Sequence, residues 1–419
     1  MQNSDMMAKA GVISANSLEY NLKPDLSVTT SRTDTLQFFQ SNTYSSGSTM
    51  VNILNSGSAY INGRTSVLIL DVASTAGSPA FGFGPTGSAA NLINRITIMS
   101  RSGVVLERID SSNVLSSIKM FYEHDKSWMD TVGRLAGGGD VNNATPVAAF
   151  ANPLVSTRFI IPLCLISGLF NYENLLPASL MSGLRIELVL ASPITSLQAA
   201  AAADYQITGC SIKLDSYQIT DSITRTLNEA AASSGLEVVF KTYFTTVGTR
   251  TSDNLNFESR RSCSRALAVT YKEQVTRALY TVDPMATTAI AAGYGPTAVQ
   301  FRAGSLYFPN SVISGSAPPL ASPEIQAMAF TAFNKYNTEP VSSNVVGSGV
   351  YGYATNSVIA TTLERSTALE LSGIPLSNSR TLALNASFVN PVAANMNSYL
   401  FLEYASLARV FISNTTVEV

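Results

Sequence analysis

The stretch "GFGPTG", Gly82 to Gly87, decides how this chain of 419 residues is read. It satisfies G-x-G-x-x-G, which binds a dinucleotide only where it leaves a strand and opens a helix, so that the helix N-terminus and free backbone N–H groups face a pyrophosphate. From Gly87 the chain runs "GSAANLINRITIMS", a short polar link leading into an alternating, β-branched segment, and no crossover helix of useful length fits. Further on, "GYGPT" at Gly293 to Thr297 repeats "GFGPT" 211 positions later. A phosphate loop needs one copy, whereas a duplicated module carries its loop twice.

Outward from that loop, period-two alternation with Val, Ile, Thr, Phe and Tyr dominates and predicts strands. Examples are "TLQFFQSNTY" (Thr35 to Tyr44), "SVLILDV" (Ser66 to Val72), "RITIMS" (Arg95 to Ser100), "LRIELVL" (Leu184 to Leu190) and "CSIKLDSYQI" (Cys210 to Ile219). Two helices stand out. Ser111 to Asp125 places Val114, Leu115, Ile118, Phe121 and Tyr122 on one face, as expected of a helix lying on a sheet. Asp221 to Gly235 opens on a capping Asp, ends on a Gly suited to the C′ position, and falls at mid-chain where a linker between equal halves belongs.

The halves then align. "TLQFF" answers "EVVFKTYF" near Val238, "TSVLILDV" answers "RALAVTYK" (Arg265 to Lys272), and the helix at Ser111 answers Ser322 to Tyr336. "STRFIIPL" (Ser156 to Leu163) answers "STALELSG" (Ser366 to Gly373), "GLRIELVLAS" answers "SRTLALNASF" (Ser379 to Phe388), and "IKLDSYQI" answers "YLFLEYASL". With the Gly-Pro loop these make seven landmarks in one order, which short look-alike strands do not produce by accident. Many short strands with Gly/Pro-rich turns predict a sandwich or barrel, and eight strands in two packed sheets is the jelly roll.

Composition narrows the function. Only 13% of residues are charged, about half the usual share. Such a surface suits burial against other subunits, or β-rich loops that are polar without charge. Net charge is −2, and the first 34 residues balance Lys9, Lys23 and Arg32 against Asp5, Glu19, Asp25 and Asp34. Without clustered Lys and Arg, no strong direct binding of nucleic acid is expected. Cys164, Cys210 and Cys263 are odd in number, lack C-x-x-C spacing and read as reduced core residues. The N-terminus has no apolar signal core, and "FIIPLCLISGLF" (Phe159 to Phe170) is too short to span a bilayer. A soluble chain made in a reducing compartment is expected.

Catalytic chemistry finds little support. His124, the only histidine, sits between Glu123 and Asp125 and reads as a surface helix position; one His excludes a zinc site of the usual type. No G-x-S-x-G elbow occurs, and Glu187 and Asp215 lie in separate strands with no visible pairing for glycoside hydrolysis. "GSGVYG" (Gly347 to Gly352) reads as a flexible loop. "GRLAGGGD" (Gly133 to Asp140) lacks the G-K-[ST] ending of a P-loop and reads as a mobile loop or subunit contact. Trp128 suits core packing or a subunit anchor, and the sequons at Asn143, Asn385 and Asn414 mean little without a signal peptide. No catalytic, cofactor-binding or metal residues are assigned, and no cofactor is expected.

The segments "INGRTSVLILDV" (Ile61 to Val72), "NLINRITIMSRSGVVLERID" (Asn91 to Asp110), "IPLCLISGLFNYENLLPASLMSGLRIEL" (Ile161 to Leu188) and "LDSYQITDSITRTLN" (Leu214 to Asn228) carry a family likeness. From residue 35 to about 415 the chain resembles the double jelly-roll major capsid proteins of tailless icosahedral DNA viruses, the adenovirus-hexon lineage. It looks most like the smaller members from virophages, polinton-like viruses and related phages. The resemblance implies an all-β fold of two tandem eight-stranded jelly rolls, each with a short inserted helix, and a linker helix between them. The expected divisions are an extended arm 1–34, a first roll 35–220, a linker 221–235 and a second roll 236–419.

In that family a trimer carries six rolls and tiles a hexagonal lattice as a pseudo-hexamer, and the resemblance implies that the two rolls meet like an internal homodimer. It further implies a non-enzymatic homotrimer in the virion shell, made in the host cytoplasm, with neighbouring capsomers and minor capsid or penton proteins as partners. Nothing in the sequence indicates contact with an internal membrane. The alternative reading is a tandem β-sandwich lectin, receptor-binding spike or adhesin, although no Asp/Asn-rich calcium loop appears. On either reading both Gly-Pro loops are matching connections at equivalent places and hold no nucleotide.

Overall fold

Among the described residues sixteen principal strands, all paired antiparallel, build two sheets in each half of the chain. The first half contributes β1 (Thr29–Phe38), β2 (Thr49–Ile53), β3 (Tyr60–Ser74), β4 (Ile93–Met99), β5 (Val105–Asp110), β6 (Thr157–Pro162), β7 (Arg185–Leu190) and β8 (Tyr205–Ile219). The second contributes β9 (Leu236–Thr249), β10 (Asn254–Asn256), β11 (Cys263–Lys272), β12 (Pro296–Ala303), β13 (Leu306–Ser314), β14 (Ile359–Thr362), β15 (Leu382–Phe388) and β16 (Met396–Val410). This computed structural model describes residues 29–75, 78, 81–83, 87–138, 156–199, 203–249, 254–257, 260, 262–272, 296–314, 323–334, 358–365, 372–376, 381–388, 396–411 and 415–418.

Sheet order in the first half is β1–β8–β3–β6 and β2–β7–β4–β5; in the second it is β9–β16–β11–β14 and β10–β15–β12–β13. Adding eight to each strand of the first half gives the second, so one topology occurs twice. Even an irregularity recurs: the β4–β7 ladder slips one residue between Ile93 and Arg95, and the β12–β15 ladder slips between Pro296 and Ala298. This is the double jelly-roll fold. Alternation explains the faces: along β7, Ile186, Leu188 and Leu190 are buried while Arg185 is exposed.

The three longest α-helices fall where expected, and shorter helical segments such as Lys126–Trp128, Leu163–Ile166 and Ala178–Met181 go beyond the expectation. α1 (Ser112–Tyr122) follows β5, and α3 (Pro323–Ala332) follows β13. One-sided amphipathicity understates α1, which is buried all round. Ser116 donates to Ser112 O at 2.6 Å and Ser117 to Asn113 O at 3.2 Å, so small hydroxyls satisfied inside their own helix make the serine face fit to bury. Between the halves, α2 (Asp221–Ser233) joins β8 to β9. Its cap is Thr220 rather than Asp221, which lies in the first turn and acts on the helix dipole alone. Gly235 takes φ +79 and donates to Ala230 O at 3.1 Å, as a C′ residue does.

Three expectations need correction. Residues 29–34, read as part of the arm, belong to β1, where Arg32 bridges to Asp215 of β8 at 2.7 Å; residues 1–28 lie outside the described residues. "STRFIIPL" does match β6, but its counterpart is β14 at 359–362, because both strands pair the same way on their neighbours β3 and β11. "STALELSG" comes later in the chain, and most of it lies outside the described residues. The Gly-Pro loops are not equivalent either. Ladder register places Pro296 opposite Phe388 as Ile93 is opposite Leu190, so Pro296 corresponds to Ile93 and not to Pro85.

Candidate functional site: the seam between the halves

The two halves meet along β5 and β9. Val238, Phe240, Tyr243 and Phe333 of the second half join the apolar cluster that holds Leu68, Ile96 and Ile118 of the first, so that cluster crosses the seam, while Phe301, Leu384 and Leu402 belong to a separate cluster within the second half. Among the described residues the two rolls do not meet in the homodimer-like way that the family resemblance implied. A homodimer joins like to like, whereas here β5 of one roll meets β9, the counterpart of β1, in the other: the joint is head-to-tail.

A buried carboxylate sits in this joint. Glu107 of β5 is 2% exposed and accepts from Gly168 N at 2.8 Å, Leu169 N at 3.4 Å, the Ser167 hydroxyl, and the Thr242 hydroxyl of β9 at 2.5 Å. Burial lifts its carboxyl above the ordinary value, by more than the four donors lower it. Beside it Gly168 passes so close to Lys241 that a Cβ there would overlap the Lys241 carbonyl oxygen. Only glycine fits that approach.

A second polar group closes the inner end. Arg265 of β11 donates to Glu123 at 2.7 Å, to Glu403 of β16 at 3.0 Å and to the Tyr243 hydroxyl at 2.8 Å, and lies 4.4 Å from the Phe333 ring centroid. Burial opposes its charge, yet Glu403, Tyr243 and Glu123 together hold the guanidinium well above its ordinary value. Burial likewise works against the Glu123 carboxylate, but Lys119, Arg265 and His124 outweigh it and keep the group below the usual range. Lys119 is itself fixed from α1 to the carbonyls of Cys164 and Leu165 at 3.1 and 2.8 Å. The arrangement is a lock: Glu107, Glu123 and Arg265 are each held by partners on both sides of the seam.

The residues singled out by sequence are dispersed. His124 stacks on Trp128 with ring centroids 3.6 Å apart, and Trp128 packs half-buried on the core. Glu187 pairs with Arg185 on β7, while Asp215 on β8 holds Arg32 and Thr65, so those carboxylates belong to different sheets. Cys210 and Cys263 are buried free thiols pushed up to about 12 by burial, and Cys164, half-buried, is raised for the same reason. Residues 133–138 are not the mobile loop that "GRLAGGGD" suggested. Gly137 packs on the rings of Phe159 and Phe83, and Gly138 donates to Gly133 O at 2.7 Å. Gly82 pairs with Gln198 in a short ladder. Asn385 lies half-buried in β15, while "GSGVYG", Asn143 and Asn414 lie outside the described residues. Among the described residues no three His, Cys, Asp or Glu side chains gather as metal ligands, and no helix is long and apolar enough to cross a membrane.

Sequence reading missed Glu107, Thr242, Arg265 and Glu403. The available signal was a lone charge inside an otherwise apolar strand, as in "RALAV" and "YLFLEYASL".

Among the described residues two like rolls are joined head-to-tail across a charge-satisfied seam, and a cavity of about 360 Å³ opens at its rim between Arg64, Gly168, Tyr172, Glu173 and Lys241. Solved structures agree in fold. Vp54 of the virus PBCV-1, fitted into a reconstruction of the virophage Sputnik, superposes with a TM-score of 0.62 at 11% identity over 96% of this chain and 99% of that one. The Faustovirus major capsid protein gives 0.57 at 9% identity over 94% and 92%, and the mavirus major capsid protein 0.53 at 11% over 96% and 93%. No family model matches the sequence, and no curated protein matches it significantly.

Proposed function

We propose that this chain is a viral major capsid protein, a structural protein without catalysis whose homotrimers present six rolls as a pseudo-hexamer and tile an icosahedral shell around a DNA genome. The observation that carries the reading is one eight-strand order repeated within the chain and joined head-to-tail, the arrangement three chains need to imitate six-fold symmetry. The low charge of the whole chain fits burial against neighbours. We assign the two rolls to 35–220 and 236–419, flanking a linker at 221–235, with an arm over 1–34 whose last residues already lie in β1. Self-association, neighbouring capsomers and minor capsid or penton proteins are its partners, and the virion is its destination after synthesis in the host cytoplasm. No observation among the described residues favours a lectin or adhesin. Sedimentation equilibrium of the purified chain should give three times the chain mass, and negative-stain images a six-sided outline; a monomer that binds glycans would overturn the proposal.

A further inference from the structure

The cavity at the rim of the seam belongs to neither roll alone. The first roll supplies Arg64 of β3 and the segment 171–174, and the second supplies Val239, Phe240 and Lys241 of β9. Its volume of about 360 Å³ falls within the range of small-molecule sites, which occur preferentially where domains meet.

The lining is rich in donors. Arg64 donates from Nε to the Asn171 carbonyl at 3.2 Å and from Nη2 to Glu173 at 3.1 Å, and its remaining N–H groups have no partner among the described residues. Lys241 spends one donor on Glu364 at 2.7 Å, which lies outside the lining. β9 is an edge strand of its sheet, and alternate residues along it turn their backbone N–H and C=O away from β16. The Lys241 carbonyl that meets Gly168 marks which ones: Lys241 and Val239 direct their N–H groups to the cavity side. The exposed amides of Asn171 and Asn174 add further donors.

Charge points the same way. Arg64 and Lys241 stand against one carboxylate, Glu173, so the lining carries a single excess positive charge in a chain whose net charge is −2. Arg64 and Glu173 are 46% and 66% exposed, and ion pairs so exposed are weak and exchange readily. Half-buried Tyr172 and Val239, with Phe240, give the same cavity an apolar wall.

We propose that this cavity binds a small organic carboxylate, its charge shared by Arg64 and Lys241 and its apolar portion against Tyr172 and Phe240. One negative charge matches the one excess positive charge, whereas a phosphate dianion brings more than the lining balances. Because each roll contributes one of the two cations, the bound anion ties the rolls together and stabilises the folded chain as the site fills. The site lies within one chain and needs no second copy.

Titration of the full chain with phenylacetate tests this, with phenylethanol as the uncharged analogue, acetate as the charge without the ring, and phenyl phosphate as the dianion. Phenylacetate should bind saturably and raise the unfolding midpoint, and the other three should bind more weakly. Arg64→Gln and Lys241→Gln should each weaken phenylacetate binding about ten-fold, as loss of one charge-assisted contact does. Arg158→Gln removes an exposed arginine paired with Asp71 at the other end of β3 and should bind as the parent does. Equal binding of phenylethanol removes the anion from the assignment, tighter binding of phenyl phosphate removes the carboxylate, and equal losses in all three variants reduce the effect to net charge. Each of these overturns the proposal, as does phenylacetate that does not bind. Should circular dichroism show that a variant does not fold, hydrogen exchange on the unaltered chain decides. Saturating phenylacetate should slow the amides of 171–174 and 239–241, and unchanged exchange there sinks the proposal.

Discussion

Glu107 is buried where two rolls meet, held by hydroxyl and backbone donors and by no ion pair among the described residues. Its folded-state pKa is raised, so the folded chain binds that proton more tightly than the unfolded chain. The stability this proton supplies is fully present below the ordinary carboxylate value and is lost as pH rises through the folded value. Glu107→Gln keeps an uncharged side chain whose oxygen can still accept from Gly168 and Thr242. The variant should therefore gain on the parent as pH rises from about 4, approaching about 1.4 kcal/mol per pH unit of the shift. Parallel urea-unfolding curves at several pH values measure the difference, and a difference independent of pH contradicts the assignment. Glu107 escaped the sequence reading because "VVLERID" carries three charges and nothing local says which of them faces inward. Its partner Thr242 escaped it too, because it arrives from the other half and no local pattern records that meeting.

Elements were more legible than their registers. Alternation located β3, β7 and β8 and their counterparts because each strand has one face against a core, and burial writes itself as period two. The Gly-Pro loops misled for the opposite reason. Loop sequence answers to local turn geometry, so the same letters need not fall at equivalent places: Pro296 lies inside β12, at the register position that Ile93 holds in β4. Nor could composition reveal the close approach at Gly168, since its φ of −73 is open to any residue and only the neighbouring element forbids a side chain. Gly168→Ala should push the 163–171 segment off β9 and cost about 1–3 kcal/mol. Gly248→Ala, on the same β9 with nothing within 4 Å of the added methyl, is the control and should leave stability unchanged or slightly raised. Thermal unfolding of both variants checks the pair; equal midpoints would remove steric crowding as the reason for glycine at 168.

At the scale of the molecule, the seam determines whether two rolls behave as one body. The apolar cluster of the first roll extends across it to Val238, Phe240 and Phe333, although the second roll keeps a separate cluster around Phe301 and Leu384, and Arg265 binds Glu123 of the first roll and Glu403 of the second, so neither roll can open there without breaking that ion pair. The unaltered chain should accordingly unfold in one calorimetric transition under conditions that keep copies apart, with van't Hoff and calorimetric enthalpies equal. Arg265→Ala leaves two carboxylates facing each other without their cation and should cost about 3–5 kcal/mol, broadening the transition until the van't Hoff enthalpy falls below the calorimetric one. Charge and packing make different forecasts for this variant. If lost ion pairing is the cause, acid should narrow the deficit, because Glu123, whose folded pKa is depressed beside Arg265, contributes its stability to the parent above the ordinary carboxylate value and forfeits it as pH falls. If the cause is the vacated space beneath Phe333, the deficit should hold constant across the same range. On the shell-forming proposal the joint must act as a rigid coupling, and a charge-locked seam supplies one in a chain of which only 13% of residues are charged.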